Sequence, residues 1–196
     1  MSLKVLGVGS SMREDSFSTA ALRIALEMAK KSGAEIRLLD LQKTQLPIFY
    51  SQKIETEEIK QVKASVKWAD AFILATPDYH GSMSGTMKNF LDYFWSDFAG
   101  KLFGYICASH EKGLTAMDQM RTAIRQCYGW SMPYGVSING DEDFENGLLK
   151  NTKLESRLNM LSRDLVFYGE VIRKQFSEDL SNDVSNSYAS RYRKPI

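Results

Sequence analysis

Five short apolar runs, residues 3–9, 36–41, 71–75, 103–108 and 134–138, are separated by longer stretches in which apolar residues recur every three to four positions. No other feature limits the fold so tightly. A short uninterrupted apolar run marks a parallel strand buried on both faces, because crossover helices leave neither face to water. Between the runs, Ala21, Leu22, Ala25, Met28 and Ala29 share one helical face, as do Ile59, Val62, Val66 and Ala69, and then Met87, Phe90, Leu91 and Phe94. Leu114, Met117, Ile124 and Tyr128 define a fourth helix, and Leu154, Leu158, Leu161, Leu165 and Tyr168 a fifth that runs towards Phe176. Alternating strands and helices specify an α/β fold with an open, doubly wound, five-stranded parallel sheet and helices on both faces, since right-handed crossovers place them there. A closed barrel needs eight repeats, and five are present.

A chain of 196 residues with 43% hydrophobic and 25% charged residues is long enough for one full core, so residues 1–176 read as a single domain. Residues 177–196 turn polar and lose periodicity; the expectation is a tail that packs on the domain or on a neighbouring subunit. Lys and Arg number 25 against 24 Asp and Glu, and the one basic cluster is Arg191, Arg193 and Lys194. That balance gives no electrostatic support to a nucleic-acid or anionic-membrane partner and favours small molecules. No apolar stretch has the roughly 20 residues of a membrane helix and no signal-like leader is visible, so the expected location is cytoplasmic. Cys107 and Cys127 lie far apart without a CxxC pattern, as buried, inert thiols would.

In a doubly wound sheet, ligands sit beyond the carboxyl ends of the strands, near the point where strand order reverses. The loop after the first run, GVGSSMREDSFSTAAL, gathers the hydroxyls of Ser10, Ser11, Ser16, Ser18 and Thr19 around Arg13, just before a helix that starts near Ser18. Hydroxyls, a guanidinium and the unpaired N–H groups of a helix start suit a phosphate. The third glycine of a dinucleotide fingerprint is missing and no Gly-Lys-Ser/Thr follows, which leaves a mononucleotide phosphate. The loop after the third run, TPDYHGSMSG, is expected to turn at Pro77 and to present backbone N–H groups and an aromatic face from Asp78, Tyr79, His80 and Gly81. Gly85 would permit close approach as the next helix starts near Ser84. A flat heteroaromatic ring needs such a border. His80 and His110, the only histidines, have no partners at metal-ligand spacing, so no metal is expected. GSMSG places Met83 where a serine-hydrolase elbow needs its nucleophile.

These loops resemble those of the NAD(P)H-dependent FMN reductases of flavodoxin-like fold, which include quinone, azo-dye and chromate reductases. The resemblance spans residues 3–140. The family's phosphate loop, G-S-L-R-x-x-S-x-N/S, is matched by Ser10, Ser11, Met12, Arg13, Ser16 and Ser18. Its ring loop, T-P-E-Y-N-x-S-x-P-G-x-L-K-N, is matched by Thr76, Pro77, Asp78, Tyr79, Ser82, Gly85, Lys88 and Asn89. A looser match sets Gly113, Ala116, Gln119, Met120 and Arg121 against a glycine-rich loop and an A-x-x-Q-L-R helix.

The resemblance implies FMN held by Ser10, Ser11, Arg13, Ser16, Phe17 and Ser18 at the phosphate and by Pro77, Asp78, Tyr79, His80, Gly81, Ser109 and His110 around the ring. NADPH or NADH would donate hydride and a quinone, azo compound, flavin or similar small acceptor would receive it, with FMN carrying the chemistry and no catalytic side chain required. It departs from the family at Ser10 (usually Gly), His80 (usually Asn), Ser84 (usually Pro) and in the segment 109–112, which lacks glycines; these bear on the acceptor pocket. The helix expected over 84–98 carries Met87, Phe90, Leu91, Tyr93, Phe94, Trp95 and Phe98, more apolar surface than one stripe needs. Together with the resemblance, this implies a homodimer or homotetramer paired through that helix. Two other readings stay open here: a flavodoxin-type electron-transfer protein, and a flavin-free sensor or interaction protein on the same fold.

Overall fold

Residues 2–50, 55–182 and 184–192 are described by the computed structural model; Arg193 and Lys194 of the basic cluster and the last residues of the expected tail lie outside them. In chain order the elements are β1 (Lys4–Gly9), α1 (Phe17–Lys31), β2 (Glu35–Asp40), α2 (Glu57–Trp68), β3 (Ala71–Tyr79), β4 (Ser82–Met83), α3 (Gly85–Asp92) and β5 (Leu102–Ala108). They continue with α4 (Leu114–Gln126), β6 (Trp130–Ser131), β7 (Val136–Ile138), α5 (Gly140–Asp143), β8 (Phe144–Glu145), β9 (Leu148–Leu149) and α6 (Thr152–Ser181). The parallel sheet runs β2-β1-β3-β5, with β6 and β7 sharing the position beyond β5. This is the flavodoxin-like order, and its switch point lies between β1 and β3.

Side chains alternate across each strand, which is why the two faces bury different sets. Val5, Ile73 and Ile106 point to α1 and α6, where Leu22, Leu26, Leu158, Leu161 and Leu165 meet them. Leu6, Val8, Phe72, Leu74, Phe103 and Tyr105 point to α2, α3 and α4. The second face is dominated by aromatics: Phe72 stacks on Phe103 at 4.6 Å, and Phe98 stands edge-on to both. The first face is built for close approach, since a Cβ at Gly169 of α6 would come within 2.8 Å of the Leu3 side chain.

Three sequence expectations change. The fifth strand, expected over 134–138, is two short pieces, because Pro133 supplies no N–H for the ladder between them. The helix expected over 84–98 stops at Asp92 and gives way to a 3₁₀ turn at Ser96–Phe98. Tyr93 and Phe94 make i to i−3 bonds to Phe90 and Leu91, and the chain then turns so that Phe94 and Phe98 both enter the aromatic core. Burial of two large rings outweighs one more helical turn. Finally, α6 continues to Ser181, and beyond it the Tyr188 ring contacts Trp130 and Phe176, its hydroxyl donates to the Tyr128 carbonyl, and Ala189 is buried.

At the amino ends of the strands, Lys101 donates from Nζ to the Val66 carbonyl at 2.7 Å, capping the last turn of α2. Burial lowers its ammonium to about 8, against smaller opposing effects of Asp97 and Asp70.

Candidate functional site

The carboxyl ends of β1, β3 and β5 open into a cleft of about 350 Å³. Its α1 end is made locally. Ser16 caps α1, accepting from the Thr19 N–H at 3.3 Å, and its hydroxyl lies 3.0 Å from that of Ser18. Ser11 accepts from the Arg13 N–H at 3.2 Å, folding the loop back towards the helix start. The first turn of α1 contains no acidic residue, whereas α2 begins with Glu57 and Glu58. The unpaired N–H groups at the start of α1 and its positive dipole end thus meet no carboxylate within the helix. Asp15 and Asp141 border the cleft and offset the charge of Arg13.

The opposite end is a β-hairpin. Pro77 does not turn the chain as expected: it sits in β3 opposite Ala108, and the strand runs on to Tyr79. His80 and Gly81, at φ 56° and 75°, form a two-residue turn that returns the chain as β4, with Tyr79 paired to Ser82. Two successive positive φ values match the twist of a hairpin, and glycine at the second position adopts one without strain. Asp78 locks the turn, its Oδ1 accepting from the Gly81 N–H at 2.8 Å and its Oδ2 from the Ser109 hydroxyl at 2.9 Å. The Gly81 N–H expected to face a ring is therefore spent on Asp78.

Of the expected residues, Ser11, Arg13, Ser16, Phe17 and Ser18 converge with Pro77, Asp78, Tyr79, Ser109 and His110 on this one cleft. Ser10, His80 and Gly81 do not line it. Ser10 is fully buried; its hydroxyl donates to the Ala75 carbonyl at 3.1 Å and accepts from that of Ser84 at 2.8 Å, tying β1 to the start of α3. The serines standing at the family's usual glycine and proline positions thus bond to each other. His80 and Gly81 project into solvent at the hairpin tip.

Asp15, Ala108, Gly140 and Asp141 complete the lining and were not anticipated. The last two belong to an excursion, residues 140–150, closed by buried Asp143: its carboxylate accepts from the Asn139 N–H and from Asn151 Nδ2, at 2.7 and 2.6 Å. Phe144 of this excursion packs on Phe17 at 5.4 Å. Its sequence signal is Asn146-Gly147, a hairpin dipeptide between Glu145 and Leu148. A second hollow of about 840 Å³ adjoins the cleft across the start of α1.

Beneath the cleft, burial and then the charge of Asp78 push the Cys107 thiol up to about 12, so it remains a protonated core residue. Among the described residues, no His, Cys, Asp and Glu group suits a metal, and no helix is long and apolar enough to cross a membrane.

The donor set fits a flavin mononucleotide: buried hydroxyls and a helix start at one end, and Pro77, Tyr79, Ser109 and His110 lining the other. The family model for NADPH-dependent FMN reductase matches residues 3–143. An NADPH azoreductase from Bacillus sp. (strain OY1-2) is 32% identical over 111 residues, which cover 54% of this chain and 62% of the relative, less than two thirds of its length. An FMN-dependent NADPH-azoreductase from Staphylococcus aureus is 31% identical over 152 residues, 72% of this chain and 79% of that one. Among solved structures, FerB, a flavoenzyme NAD(P)H:(acceptor) oxidoreductase from Paracoccus denitrificans, superposes with a TM-score of 0.74 at 19% identity, over 86% of this chain and 98% of its own. That last likeness bears on the fold alone.

Proposed function

The chain belongs to the NADPH-dependent FMN reductase family, and from that premise we propose that it is an oxidoreductase whose bound FMN relays hydride from NADPH or NADH to a quinone, azo compound, flavin or similar small acceptor. The observation that carries the reading is the convergence, at the switch point of the sheet, of Arg13, Ser16 and Ser18 with Tyr79 and Ser109, from three loops far apart in the sequence. Arg13, Ser16, Ser18 and the first N–H groups of α1 bind the phosphate. Pro77 and Tyr79 on one side and Ser109 and His110 on the other orient the ring. Tyr79, 44% exposed, leaves that end open to exchange of donor and acceptor. The formal charge of +1 favours an enzyme over an acidic electron carrier that docks on proteins.

On the same reading the protein works in the cytoplasm as a homodimer or as paired dimers. The apolar face of α3 is buried in its own protomer at Met87, Phe90 and Leu91, so the contact falls to its flanks, where Ile48, Tyr50 and Trp95 are 82%, 64% and 66% exposed. Replacing Ile48 and Trp95 with serine is expected to yield monomers by light scattering.

The deciding experiment is a visible spectrum of the purified protein with FMN, followed by NADPH without oxygen. Bound FMN that bleaches in one two-electron step supports the reductase. Bound FMN that stays yellow transfers the argument to the carrier, and failure to bind FMN removes the reading altogether.

A further inference from the structure

The hairpin that carries Tyr79 has a second strand, β4, of only two residues. A strand that short does not fix its own position. Among the described residues, the side chain that hydrogen-bonds its outer edge is Gln119 of α4, whose Oε1 accepts from the Ser82 hydroxyl at 2.8 Å and from the Met83 N–H at 3.2 Å. A backbone N–H only donates, so the amide oxygen must face the hairpin and the NH₂ group must face away. On the hairpin's other strand, Asp78 is bonded to Ser109, which lies on the loop leading into α4. Helix α4 and its approach therefore grip the hairpin on both strands.

We propose that Gln119 is a positioning residue for the ring end of the cleft: by holding Ser82 and Met83, it sets where Tyr79 stands. It is not catalytic, since it lies outside the cleft, in a groove behind the hairpin. The inference rests on the flavin reading above. It separates the two ends of the ligand, because among the described residues Gln119 bonds to Ser82 and Met83 and not to the Arg13–Ser18 loop, so its loss weakens the ring contact and spares the phosphate contact.

The test compares dissociation constants of FMN and riboflavin, by flavin fluorescence, for the wild type, Gln119→Leu, Gln119→Glu and Ser82→Ala, with circular dichroism to verify folding. Gln119→Leu keeps bulk and loses the acceptor; both flavins should bind about tenfold more weakly, as expected for two donors left without their partner, with the FMN-to-riboflavin ratio unchanged. Gln119→Glu keeps the acceptor and should stay within about threefold of the wild type, and Ser82→Ala, which removes one of the two bonds, should fall between. Equal affinity in Gln119→Leu, a loss confined to FMN, or a Glu variant as weak as the Leu variant would each overturn the proposal. Should Gln119→Leu not fold, the Glu and Ala variants decide by the same ratio. A wild type that binds neither flavin overturns the flavin reading, and this inference with it.

Discussion

At the α1 end of the cleft, Ser16 and Ser11 bond to groups two or three residues away, whereas at the hairpin end Asp78 and Gln119 reach Ser109 and Ser82 across 31 and 37 residues. The first arrangement forms whenever α1 forms, because cap and loop belong to one turn of chain. The second exists only once β3, β5 and α4 have assembled. One end of the site thus inherits the stability of a helix start, and the other inherits that of the whole sheet. Damage far from the cleft should reach the hairpin end and leave the α1 end alone.

The largest expected effect tests the local end. Arg13→Ala combined with Ser18→Ala should weaken FMN by about a hundredfold, the loss of one charge-assisted and one neutral hydrogen bond, and leave riboflavin affinity nearly unchanged. Equal losses for both flavins would mean that this loop does not hold the phosphate. Next, Asp78→Ala frees both the Gly81 N–H and the Ser109 hydroxyl. Titration should show FMN and riboflavin weakened together by about tenfold, and a loss restricted to FMN would break the division between the two ends.

A smaller effect is expected for Ser16→Ala, which removes the α1 cap: about 1 kcal/mol of stability in urea unfolding, together with a modest loss of FMN affinity. The control sits at the other pole of the sheet. Lys101→Met should leave both flavin affinities unchanged while altering the pH dependence of stability. Burial lowers the folded-state ammonium to about 8 from 10.5, so between those values the unfolded chain binds more protons. This lysine's contribution to stability therefore rises with pH across that window, by less than about 1.4 kcal/mol per unit. Urea unfolding at pH 8 and 9 should show the wild type gaining on the variant, and an opposite trend would refute the burial account.

The sequence by itself determined the fold class, because continuous apolar runs and helical periodicity are local properties of the chain. It also determined the local shape of the loop before α1, since Ser11 and Ser16 bond within one turn of their own positions. It showed which loop carries Tyr79, but not that loop's shape: Pro77 reads as a turn residue and lies in a strand, while the turn falls on His80-Gly81. Ser10 reads as a ligand, yet its buried hydroxyl joins Ala75 and Ser84, which no spacing rule brings beside it. The end of α3, the placing of Gly140 and Asp141 in the cleft, and the grip of Gln119 were decided by tertiary structure. Each depends on a contact between residues dozens of positions apart, Phe98 with Phe72, Phe144 with Phe17 and Gln119 with Ser82, whose proximity arises only when the sheet and its helices assemble.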